Sequence, residues 1–148
     1  MFLFNPAIWR NGVLYELPRP VVAVRIQDAW NFEKLKVPLS NGDIYTGHSQ
    51  LGVDLSVEGK VGTASGTIQA TEEKMFLTLE SLRAALQVDP THAPYDFFLY
   101  LDNSTKTYRS FRRCTTVRFE YDVSDPHLFT YRIVIHAADP KIWSVGPA

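Results

Sequence analysis

Only one stretch of this sequence carries a helical period, and everything around it alternates like strand. Met75, Leu79, Leu82 and Leu86 recur at spacings of four, three and four, which puts them on a single stripe. Thr71 is the expected N-cap, Glu72 and Glu73 place negative charge at the positive end of the helix dipole, and Arg83 lies near the other end with the favourable sign. Asp89-Pro90 and Pro94 stop the helix. A lone amphipathic helix cannot bury its stripe against itself, so it must lie on a sheet.

The strands that supply this sheet read from both sides of the helix. Asn11-Gly12 between Ile8-Trp9 and Val13-Leu14-Tyr15 predicts a hairpin with a two-residue turn. Pro18 and Pro20 forbid helix in the connection that follows. Val22, Val24 and Ile26 alternate with Ala23, Arg25 and Gln27, which predicts a strand with one buried face. Leu51, Val53, Leu55 and Val57 face one way, and Gly52, Asp54, Ser56 and Glu58 the other. Residues 37–50 read as a loop, with a strong turn signal at Asn41-Gly42-Asp43, and residues 59–70, rich in glycine, as a turn rather than a strand. After the helix, the apolar run 97–101 predicts a strand buried on both sides. Residues 107–113 follow the turn at Asp102-Asn103-Ser104. Val117, Phe119 and Tyr121 alternate with Arg118, Glu120 and Asp122, and Phe129, Tyr131, Ile133 and Ile135 form the last long strand after Asp125-Pro126. The expected fold is mainly β (α+β): seven or eight antiparallel strands in a sandwich or barrel-like sheet, with one helix packed across it.

Composition sharpens the class. At 148 residues the chain has the length of one domain, 1–148, and can bury a core without disulfide or metal. Aromatics make up 13% of it, which favours strands. Sixteen acids against fifteen Lys and Arg argue against a dedicated nucleic-acid binder or a polybasic membrane protein. The N-terminal MFLFNPAIW lacks a basic region and is interrupted by Pro6, and no apolar run reaches the ~20 residues of a membrane helix. The expectation is a soluble chain made in the cytoplasm.

The search for chemistry ends without a site. His48, His92, His127 and His136 form no local metal-binding spacing, and no catalytic, metal or cofactor-binding residue is expected. Cys114 follows Arg112-Arg113, cations that can depress a thiol, but a buried strand position is the preferred reading. Neither a GxSxG elbow nor a phosphate loop is present. Asp54 and Glu58 share a strand face about 13 Å apart at strand rise, beyond the reach of a paired acid and base. Tyr108, Phe111, Phe119 and Tyr121 interleave with Arg109, Arg112, Arg113 and Arg118 as an RNA-stacking surface would, yet Val117, Phe119 and Tyr121 on one face are what a core stripe requires.

Taken in order, several landmarks resemble the N-terminal ring-forming domain of the distal tail protein of long-tailed phages, which shares its fold with tail-tube proteins. These are Trp30-Asn31-Phe32, the loop from Pro38 to Asp43 with Gly47-His48, the strand through Leu55-Ser56-Val57-Glu58-Gly59, and Leu82-Arg83-Ala84-Ala85-Leu86. The closing strand then runs from Tyr131 into Asp139-Pro140-Lys141-Ile142-Trp143. The resemblance implies a non-enzymatic virion component, made in the host bacterial cytoplasm. It would assemble as a homo-hexameric ring between the tail tube and the tail-tip hub, leaving a channel for DNA. Eight residues follow Pro140, so no C-terminal accessory domain is expected and sugar binding by such a domain is in doubt. On this reading Asp54, Glu58, Glu120 and Asp122 are channel-lining candidates whose charge would repel DNA phosphates. Asn41, Gly42, Asp43, Tyr45, Gly47 and His48 are candidates for an arm that contacts a neighbouring subunit. The alternative is a small β-rich module binding carbohydrate or another ligand. An enzyme with a site assembled from Asp, His and Tyr is a third reading.

Overall fold

The computed structural model describes residues 2–18, 20–36, 43–62, 72–88, 93–125 and 128–147, with residues 31–36 and 43–49 described through their backbone. In chain order the elements are β1 (Phe4–Arg10), β2 (Val13–Glu16), β3 (Val21–Gln27), β4 (Trp30–Lys36), β5 (Asp43–Gln50), β6 (Val53–Gly62), α1 (Glu72–Leu86), β7 (Tyr95–Asp102), β8 (Thr107–Asp122) and β9 (Leu128–Ala137). Seven strands form one antiparallel sheet in the order β2-β1-β7-β8-β9-β6-β3, and β4 and β5 pair with each other. The mainly β fold with one packed helix is as expected; its main sheet, among the described residues, is not hydrogen-bonded shut into a barrel. Among the described residues nine strands replace the expected seven or eight: β4 and β5 are added, and the strands read over 107–113 and 117–122 are one.

The sheet nevertheless has to curl. β2 and β3 are its opposite edges, yet only four residues separate Glu16 from Val21. Five chain steps span at most about 18 Å, whereas seven flat strands would place their edges about 29 Å apart. Residues 17–20 bridge the gap. Leu17 N donates to Pro6 O at 3.0 Å and Lys60 N to Pro20 O at 2.9 Å, so the connection is tied to β1 on one side and β6 on the other. Midway, the Tyr131 hydroxyl donates to Pro18 O at 2.6 Å.

Inside the curl lies one apolar cluster with contributions from every strand of the sheet and from α1. The helix buries the predicted Met75, Leu79, Leu82 and Leu86, and rests against β6 and β8. At about 1.5–3 kcal/mol per buried side chain, this stripe is what holds the helix in place. The predicted N-cap Thr71 and the Asp89-Pro90 stop lie outside the described residues. Val53, Leu55 and Val57 of β6 and Phe129, Tyr131, Ile133 and Ile135 of β9 are all buried, as their alternation requires, whereas Leu51, read as part of the same stripe, precedes β6 and is 46% exposed. Asn11 and Gly12 both adopt positive φ (51° and 78°), the geometry of a tight hairpin between β1 and β2. In β7, Phe97 joins the inner cluster, and Phe98 with Leu101 joins a second one on the reverse face with Ala7. The apolar run is therefore buried on both sides, as predicted.

Four local readings change. The glycine-rich turn gives way to strand over residues 59–62, because the ladder with β9 continues in register to Gly62 opposite Leu128. Gly59 serves packing here: a Cβ at this position would lie 2.3 Å from the Tyr131 ring. Residues 63–70 lie outside the described residues. The second change is in β3, where the register shifts between Val21 and Ala23 and leaves Val22 52% exposed at the sheet edge, and Ile26 is 40% exposed, so of the predicted buried face only Val24 packs on the core. The third concerns Val117, the extra residue where the β8–β9 register shifts between Thr116 and Arg118. It is 64% exposed, so the core face of β8 runs through Cys114, Thr116 and Phe119 rather than through Val117. Finally, residues 107–113 and 117–122 belong to one 16-residue strand, which changes partners near Arg113, a non-glycine residue at φ 54°.

Candidate functional site

The reverse face of the sheet divides along β8. Over β1, β7 and residues 107–113 of β8 it is apolar: Ala7, Phe98 and Leu101 are buried, with Trp9, Leu14 and Tyr108 packed on them. Over residues 115–122 of β8, β9, β6 and β3 it is polar. Cross-strand register brings all four channel-lining candidates onto this second area. Asp54 lies opposite His136, Glu58 opposite Arg132, Glu120 opposite Arg132 from the other side, and Asp122 opposite Thr130.

Each of these acids has a local partner. Glu58 Oε1 lies 3.5 Å from Arg25 Nη1 and 3.7 Å from Arg132 Nε, and Glu120 Oε1 accepts from Arg118 Nη1 at 3.1 Å. Asp54 Oδ1 is 2.8 Å from His136 Nδ1. Asp122 accepts the Ser124 amide at 2.8 Å, and hydrogen bonding from Ser124 holds its carboxyl below the usual carboxylate range. Lys60 shares the face, opposite Thr130. The four acids are thus matched by Arg25, Lys60, Arg118 and Arg132, and the area is close to electroneutral rather than acidic. A cleft of about 390 Å³ opens over it, lined by Glu58, Lys60, Glu120, Asp122 and Arg132 among others. Exposed pairs of this kind contribute about 0–1 kcal/mol each, so they shape the surface more than they hold the fold.

The arm candidates fall on a different device. Asp43, Tyr45, Gly47 and His48 belong to β5, while Asn41 and Gly42 lie outside the described residues. The expected loop is therefore strand over residues 43–50, paired with β4 from Trp30 opposite Gln50 to Lys36 opposite Asp43. This hairpin prolongs the β3–β6 ladder, which ends with Gln27 opposite Asp54. Across the break, Leu51 N donates to Ala29 O at 2.7 Å and Gln50 Nε2 to Asp28 Oδ1 at 3.0 Å. Seven residues of strand carry it about 23 Å past the end of the main sheet.

Two features escaped the residue-by-residue reading. The chain end is anchored: Ser110 and Trp143 exchange backbone hydrogen bonds of 2.9 and 2.8 Å along the edge of β8 that β9 leaves free. Asp139 organises that segment by accepting from Lys141 N and from Trp143 Nε1, both at 3.0 Å, and the Lys141 amide keeps its carboxyl below the ordinary range. Arg112 and Lys141 lie over the Trp143 ring, 4.1 and 4.0 Å from its centroid. Asp139-Pro140-Lys141-Ile142-Trp143, quoted above as a family landmark, is thus a clasp on β8. The second feature is an exposed aromatic group at the N-terminus, where Phe2 and Phe4 pack on Tyr100 and Arg109 covers Phe2.

Cys114 is fully buried, and burial pushes its thiol up to about 12, so the flanking arginines do not activate it. Among the described residues, no three His, Cys, Asp or Glu side chains come together in a way that could hold a metal ion.

No protein-family model matches the sequence, and no curated protein matches it. Solved structures do. The Dit protein (gp 19.1) of phage SPP1, described as a paradigm of the hub adsorption apparatus in phages infecting Gram-positive bacteria, superposes with a TM-score of 0.66 at 16% identity. The match covers 94% of this chain and 52% of that one, so the chain spans about half the length of SPP1 Dit. A protein from the tail of an empty GTA particle, determined with C6 symmetry, superposes with a TM-score of 0.57 at 12% identity over 97% of this chain and 96% of that one. The chain therefore shares the fold of phage distal tail and tail-tube-like structural proteins.

Proposed function

We propose that this protein is a structural subunit of a phage-type tail, a distal tail or baseplate hub component that assembles as a homo-hexameric ring joining the tail tube to the tail tip. The observation that carries this reading is the fold shared with SPP1 Dit over 94% of the chain, supported by the likeness to a tail protein of a six-fold particle. Its work is self-association and docking to other tail proteins, and it resides in the virion tail. The polar reverse face is the candidate lining of the channel through which DNA passes. Balanced charge suits that role, because a face with no net charge neither holds the phosphate backbone nor opposes its entry. The hairpin β4–β5 is the candidate arm toward a neighbouring subunit.

Light scattering and negative-stain imaging of the purified chain test the reading. Closed six-fold rings are the expected result, and a chain that stays monomeric at every accessible concentration would overturn it. The lining role fails separately if a ring structure shows Asp54, Glu58, Glu120 and Asp122 turned away from the pore.

A further inference from the structure

Along its first half β8 pairs with β7 on one edge, and the β9 ladder on the other edge ends with Ala137 opposite Cys114. Past that point the second edge is covered by residues 138–146, the continuation of β9. Ala138 N still donates to Arg113 O at 3.1 Å, one step beyond the ladder. The next backbone contact is Trp143 opposite Ser110. Five steps along the chain end are thus set against three along β8. The surplus is taken up at Asp139-Pro140-Lys141, where the Asp139 carboxylate accepts the Lys141 amide and Pro140 has no amide to give. The ladder lets go here and touches down again at Trp143.

The touchdown is small. Two backbone hydrogen bonds at Ser110, the Trp143 ring beneath Arg112 and Lys141, and the Asp139 carboxylate on the indole N–H hold it. Farther on, Gly146 passes so close to Tyr108 that a Cβ would lie 2.8 Å from the ring. The flanking apolar side chains do not help, since Ile142 is 54% and Val145 53% exposed. Arg112 keeps its Nε buried without a hydrogen-bond partner among the described residues, so its hold on the segment is the ring stack. Yet these few contacts seal the strand beneath them, and Ser110 is 1% exposed. A bare strand edge is a template for pairing with another chain, and folds cover such edges with a loop.

We propose that residues 138–146 are a latch: seated, they close the edge of β8 over residues 108–113 to strand addition, and unseated, they leave that edge open as an acceptor. The occupant the edge is built for is the chain's own segment, fixed by Arg112, Trp143 and Asp139. The latch works within one subunit and needs no ring.

Hydrogen exchange and self-association of the full chain test it. Trp143→Ala removes the ring, and Gly146→Val forces the far end off Tyr108 while the ring stays in place. In both variants the Ser110 amide should exchange about tenfold faster or more, while the amides of Phe97 and Ile133 keep their wild-type rates. Both should also form species larger than the wild-type chain forms at the same concentration. A synthetic peptide of residues 138–147 added in trans should reverse that association by covering the edge again, and the same peptide carrying Trp143→Ala should not. A Ser110 amide protected as in wild type, or freed only together with the core amides, would overturn the latch. So would variants that assemble like the wild type, or excess association that the peptide leaves untouched.

Discussion

The two areas of the sheet's reverse face are built from the same kind of strand and share β8, yet they are unlike in every other respect. Where β7 lies beside the first half of β8, the face is apolar and the chain end clasps the neighbouring edge through Trp143. Where β9 lies beside the second half, the face is charged, paired and open. The switch happens at one place: Arg113 adopts positive φ, Cys114 becomes the shared row of β7, β8 and β9, and the partners change. The first area resembles a core and the second a working surface. Substitutions should therefore separate them, with large costs in stability on one side and small costs on the other.

The largest effect belongs to the covered area. Phe98→Ala removes a ring that is 1% exposed and should cost about 3–5 kcal/mol, read from urea denaturation. A cost below about 1 kcal/mol would mean the second cluster is not a core at all. Next comes the inner core behind the charged area: Gly59→Ala drives a methyl group into the Tyr131 ring and should cost about 1–3 kcal/mol, with the hydroxyl bond to Pro18 disturbed. If Gly59→Ala leaves stability unchanged, the close packing at that row is not needed. Trp143→Ala should cost about 1–2 kcal/mol through the lost stacking and the loosened clasp, and proteolysis should then trim the chain end faster. The clasp also has a sign in pH: the Asp139 carboxyl is depressed on folding, so its contribution is present above the unfolded carboxylate pKa and fades as pH falls through the folded one. Asp139→Asn should flatten that acid limb.

In the open area, Glu58→Gln should change stability by less than about 1 kcal/mol, since its partners are exposed. Its charge should matter in another assay. Glu58→Lys with Glu120→Lys turns a balanced face basic, and salt-dependent DNA retention should appear where the wild-type chain shows none in a filter-binding assay. Equal retention by both chains would break the link between this face and DNA passage.

The contrast also explains what the residues alone disclosed. Elements whose partners lie on one face followed from periodicity: the stripe of α1, the alternation of β6 and β9, and the doubly buried run of β7 all came through. The places that did not were set by register. Nothing in Thr116-Val117-Arg118 announces that β8 has one residue more than β9 can match, and that extra residue turns Val117 outward. The segment 43–50 read as loop because its glycine and polar residues are poor strand formers, and pairing with β4 overrides that preference. Cross-strand register gathers the four acidic candidates on one face, and their cations arrive from Arg25 on β3 and Arg132 on β9, which no spacing within β6 reveals. The link to tail proteins came from the order of landmarks, and the clasp supplies a physical role for the most distinctive of them.

The bridge over residues 17–20 has a consequence for how the chain reaches this state. It joins strands that are consecutive in sequence and lie at opposite edges of the sheet, so neither of the two can place the other. β1 must wait for β7, whose Tyr100 lies opposite Phe4, and β3 must wait for β6. Contacts as distant as Tyr131 to Pro18, 113 residues apart, put the chain among slow-folding topologies, with folding on the millisecond-to-second scale. During synthesis the first strands emerge long before the strands that shelter them, and the exposed Phe2-Leu3-Phe4 edge then has only solvent or another chain beside it.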